Sequence, residues 1–202
     1  MSQCTGYIAY KGYAAMQHES ALHVFRDFIQ TIRPRRVLEI GTAQGGLTLA
    51  IRDMLDEAGL SASAVRSFDV ASRPWYDTIR SQNIEIFVEN VFHDSYTELT
   101  KPELIIPFIQ QEGTTLVLCD GGYKVGEFNL IAPHIKAGDY IMAHDYVDTE
   151  ENFRQNYFGQ IWDWQEIRAC DIHETCEKYR LVDCNQEQFN PVVWACKKKL
   201  EL

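Results

Sequence analysis

The sequence lacks any long run of apolar residues. A membrane-spanning helix needs about 20 of them in succession, and no stretch of the 202-residue chain approaches that length. Residues 1–6 also lack the basic region followed by an apolar one that begins an export signal. We therefore expect no membrane partner and a cytoplasmic location.

Basic residues are scarce as well. The chain has 19 lysines and arginines against 29 aspartates and glutamates, which gives a formal net charge of −10. Such a charge repels the phosphate backbone of nucleic acids, and the basic clusters at residues 33–36 and 197–199 are short. We therefore predict no nucleic-acid partner.

Cysteines are few, and most of the six lie in the C-terminal third. A chain of this length without an export signal does not depend on disulfides, so reduced thiols are expected. Cys170, His173 and Cys176 are soft ligands that suit zinc, but their intervals differ from the usual finger spacings. A zinc site at this cluster is left open.

Residues 37–51 organise the rest of the chain. A short apolar run ends at Gly41, and helical spacing resumes after Gly45, which predicts strand, tight turn and helix. The new helix aims its unpaired N–H groups at the turn, a common place for a nucleotide-like cofactor. A dinucleotide fingerprint would have glycine where Ala43 stands, so the turn favours a ligand without phosphates. Glu39, two residues before Gly41, is placed to meet a cationic ligand.

Strands and helices continue to alternate after this turn. Apolar residues at three- and four-residue intervals also predict a helix over residues 20–32. Further strands are predicted at residues 65–70, 84–88, 116–119 and 140–143, and helices at residues 46–58, 102–111 and 126–135. This alternation is typical of a parallel sheet covered by helices on both faces.

The remainder of the chain differs in kind. A helix is predicted at residues 150–157, followed by β-rich stretches at 164–170, 180–184 and 192–196 that can pair antiparallel. With 46% hydrophobic residues, the chain is expected to form one α/β domain over residues 1–202. Within it, residues 1–33 are expected to form an arm and a helix that cap the cofactor or acceptor site.

Acidic and imidazole side chains follow several of the predicted strands. Asp69 ends the second strand, where an acidic residue commonly accepts hydrogen bonds from ribose hydroxyls. The alternative for Asp69 is a solvated loop carboxylate. Asp120 follows the fourth strand, and His144 and Asp145 follow the fifth, at the sheet edge where open α/β folds bind ligands.

These features together carry a family resemblance over about residues 15–147. The glycine turn, Asp69, the turn at residues 120–122 and the terminal hairpin resemble the Rossmann-like S-adenosylmethionine-dependent methyltransferases. Within that class, residues 33–46 and 120–141 are similar to the cephalosporin hydroxylase and rhamnosyl or macrolide sugar O-methyltransferase family. Catechol O-methyltransferases are more distant relatives. The resemblance implies a three-layer fold with a mostly parallel, seven-stranded sheet and a C-terminal antiparallel hairpin.

The resemblance also implies a set of ligand-binding residues. It implies a divalent cation of the magnesium or manganese type, held by Asp120, His144 and Asp145. The implied S-adenosylmethionine-binding residues are Glu39, Gly41, Thr42, Gly45, Asp69, Asn90 and Asp120.

Two departures from the family concern the metal and the base. His144 stands where the relatives usually have a carboxylate, and imidazole suits manganese, iron, nickel or zinc better than magnesium. Adjacent residues of a strand face opposite ways, so His144 and Asp145 can both bind a metal only if the strand has already ended. The alternatives are a hydrogen-bonded histidine and a helix cap. Tyr123 stands where the sugar methyltransferases carry a histidine, so Lys124 with a lowered pKa is our first candidate base, with Tyr123 and His93 in reserve.

The sequence thus predicts a metal-assisted O-methyltransferase for a small polyhydroxylated, sugar-like or catechol-like acceptor. Two alternatives remain: a catalytically silent protein of this fold with an interaction or assembly role, and a metal-independent N-methyltransferase. A homo-oligomer is left open.

Overall fold

A computed structural model of the chain describes residues 8–201. The start of the expected N-terminal arm, including Gly6 and Tyr7, lies outside the described residues. The arm is then a small antiparallel hairpin of β1 (Ala9–Tyr10) and β2 (Tyr13–Ala14). The remaining strands are β3 (Arg36–Ile40), β4 (Ala64–Asp69), β5 (Ile84–Val88), β6 (Thr115–Cys119), β7 (Tyr140–Ala143), β8 (Leu181–Asp183) and β9 (Ala195–Lys199). The helices are α1 (Ala21–Ile32), α2 (Gly46–Glu57), α3 (Tyr76–Arg80), α4 (Pro102–Ile109), α5 (Lys124–Ile131), α6 (Glu150–Asn156), α7 (Ala169–Tyr179) and α8 (Gln186–Phe189).

Seven strands form one sheet in the order β5-β4-β3-β6-β7-β9-β8. The pairs among β3, β4, β5, β6 and β7 are parallel, and β9 runs antiparallel to both of its neighbours. The predicted α/β class, the mostly parallel sheet and the terminal antiparallel pairing are confirmed.

Two apolar cores cover the two faces of the sheet. Val37 and Leu116 belong to the core that α1 and α2 complete, whereas Leu38 and Val117 belong to the core that α4 and α5 complete. Adjacent residues of a strand point to opposite faces, so strands buried on both sides become continuous apolar runs. This explains why the central strands were readable from the sequence. No helix within residues 8–201 combines the length and apolarity needed to cross a membrane.

The expected β-rich stretch at residues 164–170 is wrong. Ile167 makes an isolated bridge with Tyr146, and α7 begins at Ala169. In α7 the buried Ile172 and the half-buried Cys176 lie four residues apart, on one helix face. The final strand also begins later than the predicted 192–196, and α3 was not predicted.

Candidate functional site

Two neighbouring cavities open at the carboxyl edge of the sheet, with volumes of ≈ 210 Å³ and ≈ 270 Å³. The first cavity lies beside β4 and β5 and is lined in part by Asp69 and Asn90. The second cavity lies beside the end of β7 and is lined in part by His144 and Asp145. Gly41, Ala43 and Asp120 line both cavities. The wall between the two cavities therefore contains the glycine turn and the residue that follows β6.

The glycine turn after β3 is shaped by close packing of the chain against itself. Gly41 has a φ of +97°, and a Cβ there would lie 2.1 Å from the backbone oxygen of Asp120. Gly45 has a φ of +84° and directly precedes α2. Gly41 is thus required by the approach of two loops, which is a reason for glycine independent of any ligand.

Asp69 fixes the same turn with its side chain. Its Oδ2 accepts the Ala43 N–H at 2.7 Å and its Oδ1 accepts the Ala71 N–H at 2.8 Å. Asn90 Oδ1 accepts the Phe92 N–H at 3.1 Å, which orders the loop after β5. Both side chains line the first cavity while holding its loops. The Thr42 hydroxyl bonds that of Ser67 at 2.6 Å, and Thr42 lines the second cavity instead.

Glu39 lies buried beneath the glycine turn. Its Oε2 accepts hydrogen bonds from the hydroxyls of Thr48 and Ser67, whereas its Oε1 is buried without a hydrogen-bond partner. Burial raises the pKa of Glu39 to about 7, because a desolvated carboxylate disfavours its charged form. Glu39 and Gly45 are absent from the linings of the two cavities as residues 8–201 form them.

Glu127 was not identified from the sequence, although it lines the first cavity. Its carboxylate accepts the N–H groups of Gly121 and Tyr123, each at 3.0 Å. Burial raises the pKa of Glu127 to about 7. The available signal was an acidic residue in the first turn of a helix directly after a glycine pair, a position where carboxylates cap backbone N–H groups.

Asp120, His144 and Asp145 converge beside the second cavity, with one potential ligand atom of each within 4.8 Å of the others. His144 Nδ1 lies 3.0 Å from Asp120 Oδ1 and 3.6 Å from Asp145 Oδ1. The strand β7 ends at Ala143, and Asp145 has a left-handed backbone with a φ of 57°. Because the strand has ended, the adjacent side chains of His144 and Asp145 can both reach one point. This meets the condition stated above for both residues to bind one metal ion.

Lys124 is buried in a group of charges at the second cavity. Its Nζ lies 2.9 Å from Asp145 Oδ2 and 2.7 Å from Glu166 Oε2. Burial alone would lower the pKa of Lys124, but Asp145, Asp120 and Glu166 together raise it above the usual value. The expected lowered pKa of Lys124 is therefore wrong, because its ion-pair partners Asp145 and Glu166 are distant in sequence and no local pattern indicates them. Lys124 is a protonated ion-pair partner in this arrangement.

His144 and Asp145 are also shifted by the neighbouring charges. Burial alone would lower the pKa of His144, but Asp120 and Asp145 raise it. Burial alone would raise the pKa of Asp145, yet His144 and Lys124 lower it. The indole N–H of Trp162 donates to Asp145 Oδ1 at 2.6 Å. The cluster is thus a network of ion pairs and hydrogen bonds around His144 and Asp145.

The two reserve bases lie elsewhere among the described residues. Tyr123 precedes α5, is 47% exposed and packs its ring edge against Tyr96. His93 is exposed, and its Nδ1 bonds the Ser95 hydroxyl at 2.8 Å. Neither side chain lines the two cavities.

The three side chains weighed as a zinc cluster do not form a ligand set. Cys170, His173 and Cys176 all lie on α7, where Cys170 and His173 are exposed. Among residues 8–201, Asp120, His144 and Asp145 form the one group of three or more such side chains that is close enough to hold a metal ion. Its two carboxylates and one imidazole fit a divalent cation, and the nitrogen favours manganese, iron or zinc over magnesium.

The sequence reasoning also missed Gln17 and Trp194. Gln17 is fully buried, its Nε2 donates to Asp120 Oδ2 at 2.8 Å, and its Oε1 accepts the Trp194 indole N–H at 2.8 Å. The Trp194 ring stacks on the His144 ring with 4.8 Å between centroids. Residues from both ends of the chain therefore contact the candidate metal ligands, and no local sequence pattern indicates such a contact.

Comparison with known proteins gives a clear result for the fold. No protein-family model matches the sequence, and no curated protein matches it either. The structure is similar to an apo structure of CmcI, with a TM-score of 0.67 at 15% identity over 96% of this chain and 77% of that chain. A structure of CmcI with magnesium and S-adenosylmethionine gives a TM-score of 0.58 at 15% identity over 94% of this chain and 76% of that one.

A third structural neighbour comes from Staphylococcus aureus and is described as a caffeoyl-CoA O-methyltransferase. It gives a TM-score of 0.54 at 11% identity over 88% of this chain and 82% of that chain. These likenesses extend over most of both chains. The chain therefore has the Rossmann-like fold of these structures.

Proposed function

We propose that this protein is an S-adenosylmethionine-dependent methyltransferase that binds the cofactor in the first cavity and a small polyhydroxylated acceptor in the second. The observation that carries the proposal is the position of Asp120. Asp120 lines both cavities, and its carboxylate belongs to the cluster with His144 and Asp145. A methyl donor and an acceptor on either side of this wall would lie within reach of one another.

The chemistry of the first cavity supports a cofactor that is cationic and lacks phosphates. Its lining contains the carboxylate-bearing residues Asp69, Glu89, Asp120 and Glu127. These groups attract the ammonium and sulfonium of S-adenosylmethionine and would repel a pyrophosphate. Each Asp69 oxygen already accepts one N–H and has a second lone pair for a ribose hydroxyl. The likeness to a CmcI structure with magnesium and S-adenosylmethionine supports the same cofactor.

The second cavity supports metal-assisted transfer to oxygen. Asp120, His144 and Asp145 would hold the divalent cation. When bound, such a cation increases the acidity of an acceptor hydroxyl and fixes the position of its oxygen. Lys124 and Trp162 hold the two Asp145 oxygens in place. Because Lys124 is ion-paired, we assign it to positioning Asp145 rather than to accepting a proton.

Isothermal titration calorimetry tests this function in two stages. The full chain is titrated with S-adenosylmethionine and S-adenosylhomocysteine, and then with Mn²⁺ and Mg²⁺ after chelation of bound metal. No binding of either cofactor form at millimolar concentration would contradict the methyltransferase proposal. Cofactor binding without any metal binding would contradict only the metal part of the proposal. Asp183→Asn removes a carboxylate from the edge strand β8; because Asp183 lines neither cavity, this variant serves as a control for loss of charge.

A catalytically silent protein of this fold is the second candidate. The observation in its favour is that Tyr123 and His93 lie outside the two cavities and that Lys124 is ion-paired. A screen of hydroxylated acceptors separates the two candidates by following formation of S-adenosylhomocysteine. Turnover that Asp120→Ala abolishes supports the enzyme. Cofactor binding with no turnover on any acceptor supports the silent protein.

A further inference from the structure

Gln17 uses both ends of its side-chain amide, one as a hydrogen-bond donor and the other as an acceptor. The Trp194 indole N–H is a donor only, so Gln17 Oε1 must face it. The other end of the amide then presents Nε2 to Asp120 Oδ2, and an ionised carboxylate only accepts. Glutamate cannot donate to Asp120, lysine cannot accept from Trp194, and asparagine is one methylene shorter. The orientation of the Gln17 amide is therefore fixed by its two neighbours.

The two oxygens of Asp120 consequently have different surroundings. Oδ2 accepts from Gln17, whereas Oδ1 faces His144 Nδ1 at 3.0 Å. The Asp120 carboxylate is thus held in one rotation, with one chosen oxygen directed at the other candidate ligands. Trp194 contributes twice, because it orients Gln17 with its N–H and stacks its ring on His144 at an interplanar angle of 28°.

The N-terminal arm is what brings Gln17 to this place. Its hairpin is fastened to α2, since the Tyr10 hydroxyl donates to Asp53 Oδ2 at 2.6 Å. Its backbone packs so closely on Gly46 that a Cβ there would lie 2.6 Å from Ala14. Ala14, Ala15 and Met16 then line the second cavity just before Gln17. The arm is therefore part of the wall of the candidate acceptor site.

We propose that Gln17 is a positioning residue of the metal site. By donating to Asp120 Oδ2 it leaves Asp120 Oδ1 as the metal ligand, directed toward His144. Trp194 holds the His144 ring in place by stacking on it. This inference rests on the metal site of the proposed function. Partners that orient metal ligands typically contribute about 10- to 100-fold to metal affinity.

The test is Mn²⁺ binding to the full-length protein, followed by electron paramagnetic resonance, which distinguishes free from bound Mn²⁺. Gln17→Met keeps the length and an apolar body but removes the donor. We expect it to weaken Mn²⁺ binding about tenfold or more while S-adenosylhomocysteine affinity stays within about twofold. Trp194→Phe keeps a ring beneath His144 but loses the N–H. Because both act through one hydrogen-bonded chain, the double variant should be less impaired than the sum of the single effects.

Tyr10→Phe is the matched control, because it loosens the arm at Asp53 without touching Asp120. Equal loss of Mn²⁺ affinity in Tyr10→Phe and Gln17→Met would overturn the inference and assign the effect to docking of the arm. A folded Gln17→Met protein that binds Mn²⁺ as tightly as wild type would overturn it too. Wild-type protein that binds S-adenosylhomocysteine but no Mn²⁺ contradicts the metal site itself. Wild-type protein that binds neither contradicts the whole proposed function, so the failures are distinguishable.

Discussion

The carboxylates of the first cavity bind backbone N–H groups, whereas the charged side chains of the second cavity pair with one another. In the first, Asp69 and Glu127 hold loops by accepting backbone N–H groups. In the second, Lys124 pairs with Asp145 and Glu166, and His144 pairs with Asp120 and Asp145. A substitution at a carboxylate of the first cavity should therefore alter the shape of a loop, while a substitution in the second should leave a charged partner unpaired.

The largest effect should come from Gly41→Ala, because Gly41 lies in the wall shared by the two cavities. The new Cβ would overlap the backbone of Asp120, and the φ of +97° is unfavourable for alanine. We expect a loss of about 4 kcal/mol in the free energy of unfolding, measured by chemical denaturation, together with loss of cofactor binding.

Gly138→Ala is the control for this prediction. Gly138 has a similar φ of +84° but open space around its Cβ position. It should cost only about 1–2 kcal/mol, which is the conformational part of the effect. Equal costs for the two variants would show that close packing at Asp120 does not matter.

Asp145→Asn should affect ligand binding in the second cavity but not in the first. The amide keeps an oxygen for Trp162 but leaves Lys124 with only Glu166 as a nearby partner among the residues described. Breaking a buried pair costs about 3 kcal/mol, and Mn²⁺ affinity should fall while S-adenosylhomocysteine affinity is retained. Glu150→Gln, which removes an exposed pair with Arg154, should change stability by less than about 0.5 kcal/mol. Parallel loss of metal and cofactor binding in Asp145→Asn would argue against independent sites.

The buried Glu39 beneath the glycine turn predicts a pH dependence of stability. Folding raises the pKa of Glu39 from 4.5 to about 7, so the folded protein holds more protons than the unfolded chain between these values. Stability should therefore fall by about 3 kcal/mol as pH rises from about 4.5 to 7, and this group should change it little above that pH. The free energy of unfolding, measured by denaturation at pH 5 and pH 8, should differ less between the two pH values in Glu39→Gln than in the wild type. An unchanged difference would assign the dependence to other groups such as Glu127.

Asp69→Asn should have the smallest effect among the changes at the two cavities. One of the two side-chain oxygens that accept backbone N–H groups is retained, and the other is replaced by an NH₂ group that faces an N–H. We expect S-adenosylhomocysteine affinity to fall about five- to tenfold, equivalent to about 1 kcal/mol, with Mn²⁺ affinity unchanged. Calorimetry with each ligand checks both halves. A selective loss of Mn²⁺ binding would reverse the assignment of the two cavities.

The part of the fold that depends on local pattern was predictable. The turn around Gly41 and the apolar strands can be recognised from a few consecutive residues. For the strands, this is because burial on both faces leaves an unbroken apolar run. The helix α7 was missed because its buried face is carried by Ile172 and Cys176 among polar residues. The pairing of Lys124 with Glu166 joins residues 42 positions apart and depends on tertiary structure. Sequence reasoning therefore found the metal candidates but not the partners that set their charge and orientation.

The hydrogen bond between Gln17 and Trp194 joins residues 177 positions apart. Trp194 stands just before β9, and β9 is the last strand in the chain yet inserts between β7 and β8. Contacts of such long sequence separation are costly to form early, because the loop they close has a large conformational entropy. The glycine turn can form as soon as β3 and α2 meet. During folding, the cofactor side of the molecule should therefore be assembled first, and the acceptor side should be completed only when the final strand is in place.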